Sequence, residues 1–125
     1  MKCFCEQEET LELKIEGDVG AEPIWCSKCG CNFDLEDISI SNELKDELGR
    51  WANEYGNWID WDKDKIVPAG IEMEEEHNKK GIILTDKVKK ELGGKYRITF
   101  SSSTMARAYA SKKSKSIAYP DVKLN

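Results

Sequence analysis

Hydrophobic and polar positions alternate along two stretches of the chain, one near each end. The segment TLELKIE at residues 10–16 has an apolar side chain at every second position, and KYRITF at residues 95–100 shows the same pattern. A period of two places the apolar side chains on one face of an extended chain, so both segments are predicted to be half-buried strands. We also expect extended backbone at residues 23–25 and a buried strand at the apolar run of residues 82–84.

A helical pattern covers residues 42–59. Its apolar and aromatic side chains recur at spacings of four and three residues: Leu44, Leu48, Trp51, Tyr55 and Trp58. These positions share one face of a helix, with Ser41 as its N-cap. We expect that face, including both tryptophans, to enter the core. A shorter helix is predicted at residues 85–92, and Gly93 and Gly94 are expected to end it.

Composition and length indicate an ordered protein without membrane segments. The chain has 125 residues, of which 39% are hydrophobic and 34% charged. A chain of this size can bury a real core. It contains no apolar run long enough to span a bilayer and begins without the apolar segment of a secretory signal. We therefore expect a cytoplasmic protein that does not bind membranes.

Charge divides the chain unevenly. Residues 1–94 carry a net charge of −11, whereas residues 95–125 carry +6. An acidic body with a basic end can fold the end back on itself or offer it to an anionic partner. Nucleic acid is a possible partner through Arg107, Lys112, Lys113 and Lys115.

Five cysteines lie within the first 31 residues: Cys3, Cys5, Cys26, Cys29 and Cys31. In a reducing compartment such a cluster is more typical of metal ligands or redox groups than of disulfides. The CSKCG turn at residues 26–30 allows two thiolates to point at one ion, and zinc prefers four ligands in a tetrahedron. We predict a structural Zn²⁺ held by Cys3, Cys5, Cys26 and Cys29, with Cys31 as the alternate ligand.

This cysteine pattern resembles a zinc ribbon, in which two cysteine turns hold one structural zinc. The resemblance covers residues 1–31 and is carried by the CSKCG turn. It departs from the ribbon at Cys3-Phe-Cys5, where one residue rather than two separates the cysteines. The resemblance implies a closed, non-catalytic site, because four thiolates leave no open position for water. A thiol redox or metal-handling role is an alternative, although the residues after Cys29 form a poor first turn for the helix that a redox dithiol needs.

The segment after the predicted helix, residues 60–76, is acidic and is expected to be an irregular, solvated loop. Two residues in or next to it are candidates for a functional role. Trp61 lies between Asp60 and Asp62, outside the helical pattern, and could anchor a partner if it is exposed. His77, the only histidine, follows three glutamates, and we expect it at the surface or in a turn. One histidine without a nearby nucleophile favours a binding protein over an enzyme.

The predicted architecture is therefore α+β. A small zinc-ribbon-like module at residues 1–40 precedes an α+β body at residues 41–100, in which an amphipathic helix packs on a small sheet, and a basic, partly flexible tail at residues 101–125. The function that these features favour is a non-catalytic module that binds an unknown protein partner. Nucleic-acid binding and thiol chemistry are the alternatives.

Overall fold

Six short strands and two long helices follow one another along the part of the chain that the computed structural model describes, which is residues 10–106, 108 and 109. They are, in order, β1 Glu12–Glu16, β2 Ile24–Cys26, β3 Asn32–Phe33, α1 Asn42–Asn53, β4 Ile59–Asp60, β5 Lys65–Ile66, α2 Gly70–Leu92 and β6 Arg97–Ser101. Single 3-10 turns lie at Leu35–Asp37 and Gly93–Lys95. The predicted α+β class is confirmed.

Four of the strands form one sheet with the order β3-β2-β1-β6. Strand β1 pairs antiparallel with β2 and parallel with β6, so that Leu13 lies between Cys26 and Ile98. Both predicted alternating strands are confirmed, and they are direct neighbours. The sequence predicts a boundary at residue 40. In the structure, strands from both sides of this residue form one sheet, and residues from both sides form one hydrophobic core.

Helix α1 begins as predicted and ends earlier than its hydrophobic pattern. The Ser41 side chain accepts a hydrogen bond from the Leu44 backbone N–H at 3.2 Å, which satisfies an otherwise unpaired donor of the first turn. The helix ends at Asn53, before Gly56, whose φ of +88° is incompatible with an α-helix. Trp58 is nevertheless buried as predicted, because the turn after the helix carries it back into the core.

Helix α2 corrects the prediction for residues 60–92. One helix of 23 residues runs from Gly70 to Leu92. It takes the place of the second part of the expected acidic loop, the expected strand at residues 82–84 and the expected short second helix. Its buried positions recur at helical spacing, as in Gly81, Leu84 and Val88, whereas Ile82 and Ile83 face outward. A run of three apolar residues does not distinguish a strand from a helix, and here the flanking positions decide. Gly93 ends the helix as predicted.

Gly81 allows α2 to approach the sheet and α1 closely. A Cβ atom at this position would lie 2.9 Å from Cζ2 of Trp51 and would clash with the ring of Phe100. Trp51 is buried in the core and Phe100, partly buried, packs against it, so the two rings have little room to move. The absence of a side chain at Gly81 is therefore a packing requirement.

We expect Gly81→Ala to lower the free energy of unfolding by about 1–3 kcal/mol, since overpacking outweighs the better helix propensity of alanine. Gly49→Ala in α1 is the matched control, because no atom lies within 4 Å of the added Cβ. That change should raise stability by up to about 1 kcal/mol. Urea unfolding of both variants measures the difference, and a Gly81→Ala protein at least as stable as the wild type contradicts the packing argument.

Candidate functional site

The cysteines that the structure describes lie in and after β2. Cys26 is buried at the end of β2, and its thiol donates to the Thr10 hydroxyl at 3.2 Å, whereas Cys29 is exposed and Cys31 is half-buried. Within residues 10–106, 108 and 109, no three His, Cys, Asp or Glu side chains are placed to hold a metal ion. The predicted ligands Cys3 and Cys5 lie outside the described residues, so a structural Zn²⁺ stays a prediction.

The CSKCG segment is the turn of a β-hairpin. The backbone N–H of Cys26 donates to the carbonyl of Cys31 at 2.8 Å, and that of Gly30 donates to the carbonyl of Cys26 at 3.0 Å. Strand β3 comes directly after this turn. A redox dithiol needs a helix N-terminus at this point to lower a thiol pKa, and the chain has a strand there instead.

Trp61 lies where a partner can reach it. It is 54% exposed at the tip of the hairpin formed by β4 and β5, here called the Trp61 hairpin (residues 59–66). Its ring lies against Gly56, where an added Cβ would be 3.1 Å from Cζ2 of the indole. The hydroxyl of Tyr109 donates to Oδ1 of Asp64 at 2.7 Å and ties the hairpin to the C-terminal end of the described chain. Trp61 thus meets the condition of exposure on which its expected role as a partner anchor depends.

Two interhelical ion pairs show that α1 and α2 lie antiparallel. Lys87 Nζ is 2.9 Å from Glu47 Oε2, and Lys80 Nζ is 3.7 Å from Glu54 Oε1. The two glutamates are seven residues apart, with Glu54 at the C-cap of α1, and the two lysines are seven residues apart on α2. The lysines pair with the glutamates in opposite order. This spacing returns to the same helix face after two turns, as in antiparallel coiled coils.

Two cavities lie along this helix pair and together form the α1–α2 groove. The first has a volume of about 250 Å³ and is lined by Glu47, Arg50, Trp51, Glu54, Lys80, Ile83 and Leu84. The second has a volume of about 290 Å³ and is lined by Glu54, Asn57, Trp58, Met73, Glu76, His77 and Lys80. The Glu54–Lys80 pair borders both cavities.

His77 lies beneath the groove, so the expected surface position is wrong. Its side chain is only 4% exposed and stacks on Trp51 with ring centroids 4.3 Å apart and an interplanar angle of 9°. Trp58 and Tyr55 pack around the same imidazole. The preceding glutamates suggest a solvated segment, but at helical spacing His77 shares the inner face of α2 with Glu74 and Gly81.

The aromatic environment keeps the imidazole neutral. Neither ring nitrogen of His77 has a hydrogen-bond partner among the described residues. Burial, and to a smaller extent the charge of Lys80, lowers the pKa of His77 from 6.5 to about 4. A proton on this ring would lack a compensating acceptor in an apolar site, which is costly.

Glu74 is a second buried polar group, and it fastens the chain after β6 to α2. One carboxylate oxygen, Oε2, accepts from the Ser103 hydroxyl at 2.6 Å and from the Ala106 backbone N–H at 2.9 Å. Asn78 adds two hydrogen bonds to the backbone of Ser103. These contacts, here called the Ser103 clamp, hold the helical turn at Met105 and Ala106 against α2, next to the Trp61 hairpin.

The basic residues predicted to bind nucleic acid fall outside the described part of the chain. This applies to Lys112, Lys113 and Lys115, and to the side chain of Arg107. The residues that line the groove are missed from the sequence because the prediction divides α2 into a loop, a strand and a short helix. The available signal is the repeated spacing of seven residues, between Glu47 and Glu54 and between Lys80 and Lys87.

The pKa of His77 gives a pH dependence of stability with a definite sign. Above about pH 6.5 the imidazole is neutral in both folded and unfolded chains and contributes nothing. Between pH 6.5 and 4 the unfolded chain binds a proton that the folded chain does not, so stability falls as the pH falls, by about 3 kcal/mol in total. The measurement is the free energy of unfolding in urea at pH 7.5 and pH 4.5.

His77→Phe keeps a flat ring and removes the titrating group. Carboxylates lower the stability of both proteins in acid, so the histidine contribution is the difference between the two pH dependences. The wild type should lose about 2–3 kcal/mol more than the variant over this range. Because the chain has one histidine, no other imidazole contributes. Equal losses in the two proteins would rule out the neutral, buried imidazole.

Comparison with known proteins identifies the family to which this fold belongs. A family model described as Serratia CdiI immunity protein-like matches residues 11–103. The match runs from the residue before β1 to the Ser103 clamp and includes the CSKCG hairpin, β6 and both helices. No curated protein matches the chain.

The match corrects the resemblance drawn from the cysteines. The zinc-ribbon assignment of residues 1–31 is wrong, because the family match treats the CSKCG hairpin as one part of a longer unit. In the structure the same hairpin belongs to a four-stranded sheet. The last strand of this sheet, β6, begins at Arg97, far from Cys26 in the sequence. The chain therefore belongs to the Serratia CdiI immunity protein-like family.

Proposed function

We propose that this chain is an immunity protein that binds a toxin protein and neutralises it by forming a complex. The family match over residues 11–103 carries the proposal. CdiI immunity proteins bind a partner toxin protein, which agrees with the protein partner expected from the sequence. The nucleic-acid alternative receives no support from this family. Binding needs surfaces rather than reactive groups, so exposed and well-supported side chains are the candidates for the toxin contact.

Trp61 is the side chain best placed to anchor the toxin. It combines a large aromatic surface with about half exposure, and tryptophan is enriched among the residues that dominate binding energy. Exposed apolar side chains are also present elsewhere, for example Leu11 at 52%. Trp61 differs from Leu11 in its larger aromatic surface and in its place on a hairpin.

The support of the Trp61 hairpin comes from several independent contacts. Ile59 pairs with Ile66 across the hairpin, and the backbone N–H of Val67 donates to the carbonyl of Trp58 at 2.8 Å. Below it lies a small apolar cluster that contains Trp58, Ile59 and Ala106. A side chain held on a rigid hairpin loses little freedom on binding, so more of its contact energy appears as affinity.

The cytoplasmic location expected from the sequence stays a prediction, as the zinc does. No helix among the described residues is long and apolar enough to cross a membrane.

The proposed function is tested by titrating the purified toxin protein with the wild-type chain and by co-expressing the two in growing cells. Wild type should form a complex and restore growth. Trp61→Ala should weaken binding at least about tenfold, because truncation removes a hot-spot side chain from the contact. Isothermal titration calorimetry measures the affinity.

Leu11→Ala is the matched control, because it truncates an apolar side chain of similar exposure that precedes β1 and lies outside the Trp61 hairpin. Its affinity should equal that of the wild type. Absence of any complex with the wild type contradicts the function, whereas full affinity of Trp61→Ala removes only the role of Trp61. The melting temperature of each variant shows whether the fold is intact.

A further inference from the structure

The first cavity of the α1–α2 groove carries one unbalanced charge. Its two carboxylates are already neutralised by lysines of α2, Glu47 by Lys87 and Glu54 by Lys80. Arg50 lies between these two glutamates on α1 and forms no ion pair within the part of the chain that the structure describes. An exposed guanidinium thus stands at a cavity whose other charges cancel.

The remaining walls of this cavity are apolar. Trp51 and Leu84 form its buried floor, and Ile83 stands at its edge with 57% of its surface exposed. The combination of an apolar floor, an exposed aliphatic side chain and one arginine is typical of the anchor regions of protein interfaces. The two ion pairs lie at its ends, one on each side of Arg50.

We propose that this cavity receives a segment of the partner toxin in which an aliphatic side chain stands next to a carboxylate. The aliphatic group packs between Ile83 and the floor of the cavity, and the carboxylate accepts hydrogen bonds from the guanidinium of Arg50. This assignment rests on the proposed toxin-binding function.

Charge complementarity selects a carboxylate rather than a neutral group. Covering Arg50 with a partner removes water from a permanently charged side chain, and this cost is recovered only if the partner supplies an anion. A carboxylate is the best match, because the planar guanidinium can donate two parallel hydrogen bonds to it. A cationic segment would instead have to separate Glu47 or Glu54 from its lysine.

The proposal is tested with Arg50→Gln in the complete chain, titrated with the same toxin protein at low and at high salt. At low salt we expect binding to weaken by about tenfold or more and to become less dependent on salt, because an interfacial ion pair is lost. Arg97→Gln is the control, because Arg97 is exposed on β6, away from the groove. It should bind as the wild type does.

A second variant tests the apolar half of the contact. Ile83→Ser shortens the exposed aliphatic side chain without changing the buried floor, so it should weaken binding while the melting temperature stays close to that of the wild type. Hydrogen exchange of the wild-type complex should show protection at residues 47–54 and 80–87. These segments contain both ion pairs and Arg50.

The outcomes separate this proposal from the proposed function. If the wild type binds the toxin and both variants bind equally well, the groove is not the contact and the function stands. Protection confined to other segments has the same meaning. If the wild type fails to bind the toxin at all, the proposed function itself fails.

Discussion

The rest of the structure depends on the contacts that the indole of Trp51 makes with α2 and β6. The indole projects from α1, stacks on His77 of α2 and donates through Nε1 to the His77 carbonyl at 2.9 Å. Phe100 of β6 packs against the same ring, with centroids 6.2 Å apart. One side chain thus joins both helices and the strand that completes the sheet. The hydrogen bond fixes its direction, so α2 has one position relative to α1 rather than a range of them.

This arrangement explains why His77 is tolerated in the core. A neutral imidazole is flat and stacks well, and it fills the space between Trp51 and Trp58. Because its ring nitrogens are unpaired, protonation of His77 in acid lowers the stability of the fold. The carboxylate of Glu74, one turn away, instead accepts hydrogen bonds from the Ser103 hydroxyl and the Ala106 backbone N–H. Two of the buried polar side chains of α2 thus differ in their hydrogen bonding, since the ring nitrogens of His77 have no partner among the described residues and Oε2 of Glu74 accepts two hydrogen bonds.

Local patterns in the sequence predict the elements whose neighbours are close in the chain. Ser41 marks the start of α1 and Gly93 the end of α2, and alternation identifies β1 and β6, because each signal acts within a few residues. The burial of His77 depends instead on Trp51, which is distant in sequence and stacks on the imidazole. The cysteines are misleading for the same reason, since a CSKCG turn is compatible with a zinc ribbon and with a plain β-hairpin. The family match over residues 11–103 distinguishes them here, and the pairing of β1 with β6 agrees with it.

The shape and the charges of the α1–α2 groove are determined by the packing of the core beneath it. Trp51 sets the distance between the helices, and at that distance Glu47 and Glu54 reach Lys87 and Lys80. The register that satisfies both pairs places Arg50 opposite Ile83, with no acidic side chain of α2 paired to it. The packing that stabilises the helix pair thereby leaves one positive charge beside an apolar cavity on an otherwise acidic body. A partner that complements this cavity needs a matching shape and a single negative charge, and this combination can distinguish one protein partner from another where overall charge cannot.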